Sequence, residues 1–180
     1  MMMLNQLKTL IRHAWWDDSD THRHVPPDMA QRLKARVAAS ESRHTGQIRI
    51  CVEAALPASY VWRLNASTPL AAVVRQRALM MFSKLRVWDT EQNNGVLIYL
   101  LLAEHAIEII ADRALAQRVS PDQWQAVISR LSKALAAQHV EDGLTQALEE
   151  TSALLAQHFG MAAQPGAARS NELPDAPHLQ

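Results

Sequence analysis

Two apolar stretches separated by a short polar turn dominate the hydrophobic pattern of this chain. Residues 96–102 are apolar throughout, which is typical of a strand covered on both faces. Residues 106–112 form a second strand-like stretch, which ends on Asp112. The preceding Asn94-Gly95 favours a sharp turn, because both residue types tolerate left-handed backbone. We therefore predict a β-hairpin that returns Asp112 to the level of Asn93 and Asn94.

Apolar residues before this hairpin are spaced first as in a helix and then as in a strand. Met29, Leu33 and Val37 lie four residues apart and predict a helix over about residues 27–43. The alternation of residues 47–53 predicts a strand. A helix is expected between this strand and the first strand of the hairpin. Two strands joined through a helix usually lie parallel, so we predict that these two strands form a parallel pair.

Three further helices are predicted from their start signals and apolar stripes. Thr68-Pro69 opens a helix that extends to about residue 85. Ser120-Pro121-Asp122-Gln123 matches a capping box and opens the next helix. The last helix ends near His158, before Gly160. Residues 17–27 and 54–67 are predicted to be loops.

These elements predict one α/β domain with a small mixed sheet and helices on both faces. Three strands are few, so a further short strand is expected within residues 54–67 or 112–118. We place the domain at residues 27–160. A short amphipathic helix and loop precede it at residues 1–26, and residues 161–180 are expected to be a disordered tail.

Composition narrows the functional classes. Apolar residues make up 48% of the 180 residues, and basic and acidic residues balance at 18 each. The neutral net charge predicts no nucleic-acid partner. With only five glycines, the chain has no glycine-rich phosphate loop, so we expect neither a nucleotide nor a flavin. The single cysteine, Cys51, lies in a predicted strand and is expected to be a buried hydrophobe.

The distribution of apolar residues also indicates where in the cell the protein is expected. The first 16 residues interrupt their apolar positions with basic residues, unlike a signal peptide. No apolar run reaches the roughly 18 residues of a transmembrane helix. We therefore expect a cytoplasmic protein without a transmembrane segment. Peripheral membrane contact through Trp15 and Trp16 is the weaker alternative to packing on the domain.

Oxygen-bearing side chains should gather where the hairpin begins and ends. Carboxylate and amide oxygens are ligands that calcium takes at six to eight positions. The same residue types also cap turns and helices, so both roles stay open. The candidate ligands are Asp89, Glu91, Asn93, Asn94 and Asp112. Asp142 is a further candidate, although its place at a helix start also suits capping.

Three short motifs, in order, resemble the TPM domain family, which includes thylakoid-lumen and photosystem-repair proteins. The first is Thr45-Gly46-Gln47-Ile48, and the second is Asn94-Gly95-Val96-Leu97 after an arginine-rich helix and a tryptophan-containing loop. The third is Asp142-Gly143-Leu144, which opens the last helix. The resemblance covers roughly residues 27–159.

The resemblance implies a three-layer α/β/α sandwich of Rossmann-like appearance. It implies a divalent-metal site, usually for calcium, at the loop rim that holds the candidate ligands. It further implies a protein-interaction module linked to envelope or membrane-protein maintenance, with an unknown protein partner. The alternative is a metal-dependent acid phosphatase, in which Arg86 or Arg113 would face phosphate. The chain departs from the family pattern at Asn93, where aspartate is usual, and at Asp112, which adds a carboxylate.

Overall fold

The computed structural model describes residues 2–65, 67–136, 139–161 and 171–180. The helices in these residues are α1 (Met2–Ala14), α2 (Asp18–His24), α3 (Pro27–Glu41), α4 (Ala58–Val61), α5 (Leu70–Lys84), α6 (Arg113–Ala116), α7 (Pro121–Ala136) and α8 (Val140–Phe159). The strands are β1 (Ile48–Glu53), β2 (Val96–Leu101), β3 (Ala106–Ala111) and β4 (His178–Leu179).

The four strands form one mixed sheet in the order β3-β2-β1-β4. β1 and β2 are parallel, with Ile48 opposite Val96, and the crossover between them contains α5. β2 and β3 are antiparallel, with Val96 opposite Ala111. The predicted crossover pair and the predicted hairpin are therefore both confirmed.

Each face of the sheet carries its own hydrophobic core. Ile98 belongs to the core covered by α3, α7 and α8, whereas its neighbour Tyr99 belongs to the core covered by α4 and α5. This division follows from the alternation of side chains along a strand. All six residues of β2 are buried, which explains the unbroken apolar run in the sequence. The α/β/α sandwich is confirmed.

α1 packs on the domain through His13, which is 5% exposed. Its Nδ1 accepts a hydrogen bond from the Leu56 amide at 2.9 Å, and its Nε2 lies 3.0 Å from a Glu104 carboxylate oxygen. Trp15 remains 81% exposed at the end of this helix.

The prediction of a loop at residues 17–27 was wrong for α2. Asp17 caps this helix: its carboxylate accepts from the Ser19 amide at 2.7 Å, and its own amide donates to Asp20 at 3.1 Å. The hydroxyl of Thr21 donates to the Gln180 carbonyl at 2.9 Å, which fixes the helix against the end of the chain. Polar residues of the kinds that are typical of loops here bind the free backbone groups at the end of a helix.

The fourth strand lies where none was expected. The described residues of 54–67 and 112–118 contain the short helices α4 and α6 rather than a strand. β4 comes from residues 161–180, which were expected to be disordered, and pairs with β1 in parallel. Residues 171–180 follow the edge of β1, while residues 162–170 lie outside the described residues.

Candidate functional site

The predicted ligands lie at one end of the sheet, where β1 and β2 begin and β3 ends. The hairpin bonds continue past the strands: the Asp112 amide donates to the Gly95 carbonyl at 2.8 Å, and the Ala114 amide donates to the Asn93 carbonyl at 3.0 Å. We call residues 45–47, 86–95 and 112–114 the rim. The structure thus brings Asn93, Asn94 and Asp112 to the same end of the sheet.

The loop between α5 and β2 is held tightly at the rim. A Cβ atom on Gly95 would lie 2.0 Å from the carbonyl oxygen of Val87, so only glycine fits there without movement. Arg86 and Asn93 adopt left-handed backbone, with φ angles of 55° and 50°. Asparagine tolerates this conformation better than most residues, which explains why it suits position 93.

Two buried oxygens at the rim have no hydrogen-bond partner among the described residues. Asp112 is 9% exposed; its Oδ1 accepts from the Arg113 amide at 2.7 Å, but its Oδ2 is unpaired. Asn94 is fully buried; its Nδ2 donates to Thr45 Oγ1 at 3.2 Å, but its Oδ1 is unpaired. Leaving a buried polar atom unpaired costs about 1–3 kcal/mol, and more when it is charged. Both atoms are therefore candidate ligands.

Two other predicted ligands are bound to arginines instead. The Asp89 carboxylate accepts a hydrogen bond from the Arg86 guanidinium, and both side chains are largely exposed. The Oδ1 of Asn93 accepts from Arg113 through Nε at 3.0 Å and Nη2 at 2.7 Å. The two guanidinium groups that were predicted to face phosphate are thus bound by neighbouring oxygens.

Glu91 contacts the C-terminal segment. It is exposed, and its amide donates to the Glu172 carboxylate at 2.8 Å.

Asp142 lies away from the rim. It is in the first turn of α8, 80% exposed, with His139 3.4 Å away. The rim is near Phe159 at the other end of α8, whose carbonyl accepts from the Thr45 amide at 2.9 Å. Seventeen residues of helix, about 26 Å, therefore separate Asp142 from the rim.

Strand alternation separates the two unpaired oxygens. Asn94 shares the side of Val96, which faces the core beneath α3, α7 and α8. Asp112 shares the side of Ile110, which faces the core beneath α5. Within the described residues, no three His, Cys, Asp or Glu side chains are grouped to hold a metal. A metal at Asp112 would therefore need backbone carbonyls, amide oxygens or water as its other ligands.

A family model for the TPM domain matches residues 19–154, which is most of the chain. The chain belongs to the TPM domain family. None of the curated proteins compared with it matches. No helix among the described residues combines the length and apolar character needed to cross a bilayer.

A solved structure supports the TPM-type fold. The chain is similar to the BA42 protein of the psychrophilic bacterium Bizionia argentinensis, solved by NMR, with a TM-score of 0.68 and 21% identity. The match covers 84% of this chain and 92% of BA42. At this identity the likeness concerns the fold alone.

Several residues at the rim of this TPM domain were missed in the sequence analysis. Thr45 Oγ1 donates to Gln92 Oε1 at 2.7 Å and accepts from Asn94. Gln47 Oε1 accepts from the amides of Glu172 and Leu173, both at 3.1 Å. Thr45 and Gln47 lie within the first TPM-like motif and could have been found there. No local pattern connects Glu172 with the rim, because its partners are more than 80 positions away in sequence.

Cys51 is buried in β1, as expected from the sequence. Burial, followed by the nearby Glu53 carboxylate, raises the pKa of the Cys51 thiol to about 12. The thiolate that nucleophilic chemistry requires is therefore not formed at neutral pH.

Proposed function

We propose that this TPM domain is a metal-responsive protein-interaction module that binds calcium at the rim. The observation that carries the proposal is the unpaired, buried Oδ2 of Asp112. The location proposed from the sequence is the cytoplasm, and the role is the maintenance of envelope or membrane proteins that the family resemblance implies.

The chemistry of Asp112 favours a cation. A buried carboxylate oxygen without a donor is costly, and the neighbouring guanidinium of Arg113 is bound to Asn93 rather than to Asp112. Calcium prefers carboxylate, amide and carbonyl oxygens and accepts irregular geometry. Asp112 would be the central ligand, with Asp89, Glu91 or Asn93 joining it after rearrangement of the loop; Asn94, the other predicted ligand, lies on the opposite side of the sheet.

The adjacent surface suits a protein partner. Trp88 is 47% exposed in the same loop, next to Asp89. Exposed tryptophans are frequent anchors at protein interfaces, because one rigid side chain buries a large apolar area. A metal that reorders this loop would also reposition Trp88, which gives calcium a way to control binding.

The acid phosphatase alternative lacks a comparable observation. Its proposed phosphate-facing residues, Arg86 and Arg113, are bound by Asp89 and Asn93. The thiol of Cys51 is buried and protonated. We therefore propose the binding module first.

A calcium titration followed by residue-resolved NMR tests the metal site. We expect saturable shifts at residues 86–95 and 111–114, because the ion would bind Asp112 and reorder the neighbouring loop. Asp112→Asn keeps the shape of the side chain but removes its charge, so these shifts should be lost. Asp142→Asn removes a carboxylate at the far end of α8 and should leave them unchanged.

The absence of shifts at millimolar calcium, or equal shifts in Asp112→Asn, would refute the metal site. Hydrolysis of a phosphate ester in the presence of calcium, magnesium or manganese, lost in Asp112→Asn, would favour the phosphatase instead.

A further inference from the structure

Residues 178–180, the last part of the segment 171–180, pair with the edge of β1 through backbone hydrogen bonds. β4 pairs with β1 so that His178 lies opposite Cys51 and Leu179 opposite Val52. The Gln180 amide donates to the Val52 carbonyl at 3.1 Å, and the Ala54 amide donates to the Gln180 carbonyl at 2.8 Å. Without this segment, β1 would be an open strand edge, which is a template for pairing with another chain.

Side chains of β1 and the preceding residues also bind the backbone of this segment. Gln47 Oε1 accepts from the amides of Glu172 and Leu173, each at 3.1 Å. The Arg49 guanidinium donates to the carbonyls of Pro174 and Ala176. Burial lowers the pKa of Arg49, and a buried guanidinium needs hydrogen-bond acceptors such as these carbonyls. Contacts of this kind recognise an extended backbone rather than a particular sequence.

Two leucines supply the apolar contacts. Leu173 is 6% exposed and packs into the core beneath α5. Leu179, six positions later, packs against the core on the other face of the sheet. The edge of β1 therefore combines main-chain pairing with one well-buried side-chain site, which is the pattern of β-strand addition.

The segment lies outside the part of the chain that the family model matches. The TPM family match ends at residue 154, whereas the segment begins at residue 171. Residues 162–170 connect the two parts. Because the segment belongs to the same chain, its local concentration near β1 is high, so even a weakly binding peptide would be held there.

We propose that the edge of β1 is a peptide-binding groove, which residues 171–180 cover in cis and which an extended segment of a partner protein takes by displacing them. The partner segment carries a leucine followed by proline, with a second leucine six positions after the first. This inference deepens the interaction half of the proposed function and does not depend on the metal.

The test uses the full chain with a protease site placed within residues 162–170, cut after folding. Binding of a fluorescent peptide with the sequence of residues 171–180 is followed by anisotropy in EDTA, so that failure of the metal site cannot affect it. We expect the cut protein to exchange its own fragment for the peptide and to bind at least tenfold more tightly than the uncut protein. Equal binding to both proteins, or no exchange, would overturn the proposal.

Two peptide variants identify the groove. Leu173→Asp places a charge in the buried site and should weaken binding at least tenfold. Ala176→Asp changes a residue whose side chain is exposed, so it should bind within about twofold of the unmodified peptide. Equal affinities for the two variants would place the peptide elsewhere and reject the groove.

Amide hydrogen exchange of the intact chain provides a test without any cut or substitution. The amides of Ala54 and Gln180, which join β1 to the segment, should exchange at least tenfold faster than those at the centre of β2. This would show that the segment opens while the sheet stays folded. Exchange of both sets at one common rate would make the segment a permanent strand and refute a displaceable one.

Discussion

At the residue scale, Gly95 shows how one small side chain sets the shape of the rim. Its position at the start of β2 leaves no room for a Cβ atom, because the Val87 carbonyl lies in the way. The hairpin partner of Gly95 is Asp112, whose amide donates to the Gly95 carbonyl at 2.8 Å. A displacement of Gly95 would therefore move the candidate ligand.

We expect Gly95→Ala to lower the free energy of unfolding by about 3 kcal/mol, since backbone must shift to accommodate the methyl group. Gly46→Ala is the matched control: its Cβ would meet the tip of the Leu155 side chain at 2.4 Å, and side chains move more easily than backbone. A loss nearer 1 kcal/mol is expected there. Urea denaturation of both variants measures the difference, and equal losses would contradict this account of Gly95.

At the element scale, α7 and α8 are joined on their exposed sides by an ion pair. Arg130 donates to Glu150 through Nε at 2.8 Å and also through Nη2. The Arg130 guanidinium, together with a hydrogen bond from Gln146, holds the pKa of Glu150 below its ordinary value. Because folding lowers this pKa, the pair stabilises the protein above the ordinary glutamate pKa of about 4.3 and loses its effect as the pH falls further.

We expect Arg130→Ala to cost less than about 1 kcal/mol at pH 7, because the arginine is 49% exposed to solvent. The difference from the unmodified protein should shrink toward zero between about pH 5 and pH 3. Urea denaturation across this pH range measures it. Lys133→Ala, on the exposed side of the same helix, should show no such trend; a pH-independent cost of Arg130→Ala would refute the role of Glu150.

At the scale of the whole molecule, Glu53 joins three parts of the fold in a buried position. Its carboxylate accepts from Arg77 of α5, from the Tyr99 hydroxyl of β2 at 2.6 Å and from Gln180 Nε2 at 2.9 Å. Glu53 and Arg77 are 3% and 8% exposed. Burial and the Glu53 carboxylate together raise the pKa of Tyr99, so its hydroxyl remains a donor.

We expect Glu53→Leu to cost about 3–5 kcal/mol, because it leaves the Arg77 guanidinium buried without its counter-charge. The double variant Glu53→Leu with Arg77→Leu removes both charges and should recover most of this loss. Urea denaturation of the unmodified protein, the single variant and the double variant measures these free energies of unfolding. A double variant that is less stable than the single one would show that packing around Arg77, rather than charge pairing, holds these elements together.

The sequence by itself determined the elements whose signals are local. The apolar run at residues 96–102 and the capping box at Ser120 each depend on neighbouring residues, and each was found where predicted. The left-handed backbone expected at Asn94-Gly95 lies instead at Asn93, one position earlier. The hairpin then required Asp112 to return to Gly95, because antiparallel pairing follows directly from a short turn. The rim and the sandwich could therefore be predicted.

Only the tertiary structure decided which rim oxygens are bound and what covers the edge of β1. The contacts of Asn93 with Arg113, and of Glu172 with Glu91, join positions 20 and 81 residues apart, which no local pattern encodes. β4 has two residues, too few for any periodicity, and it pairs with the edge of β1 while Gln47 and Arg49 bind the backbone of the residues before it. Local signals fix elements, whereas long-range contacts are fixed only when the packed elements bring distant side chains together.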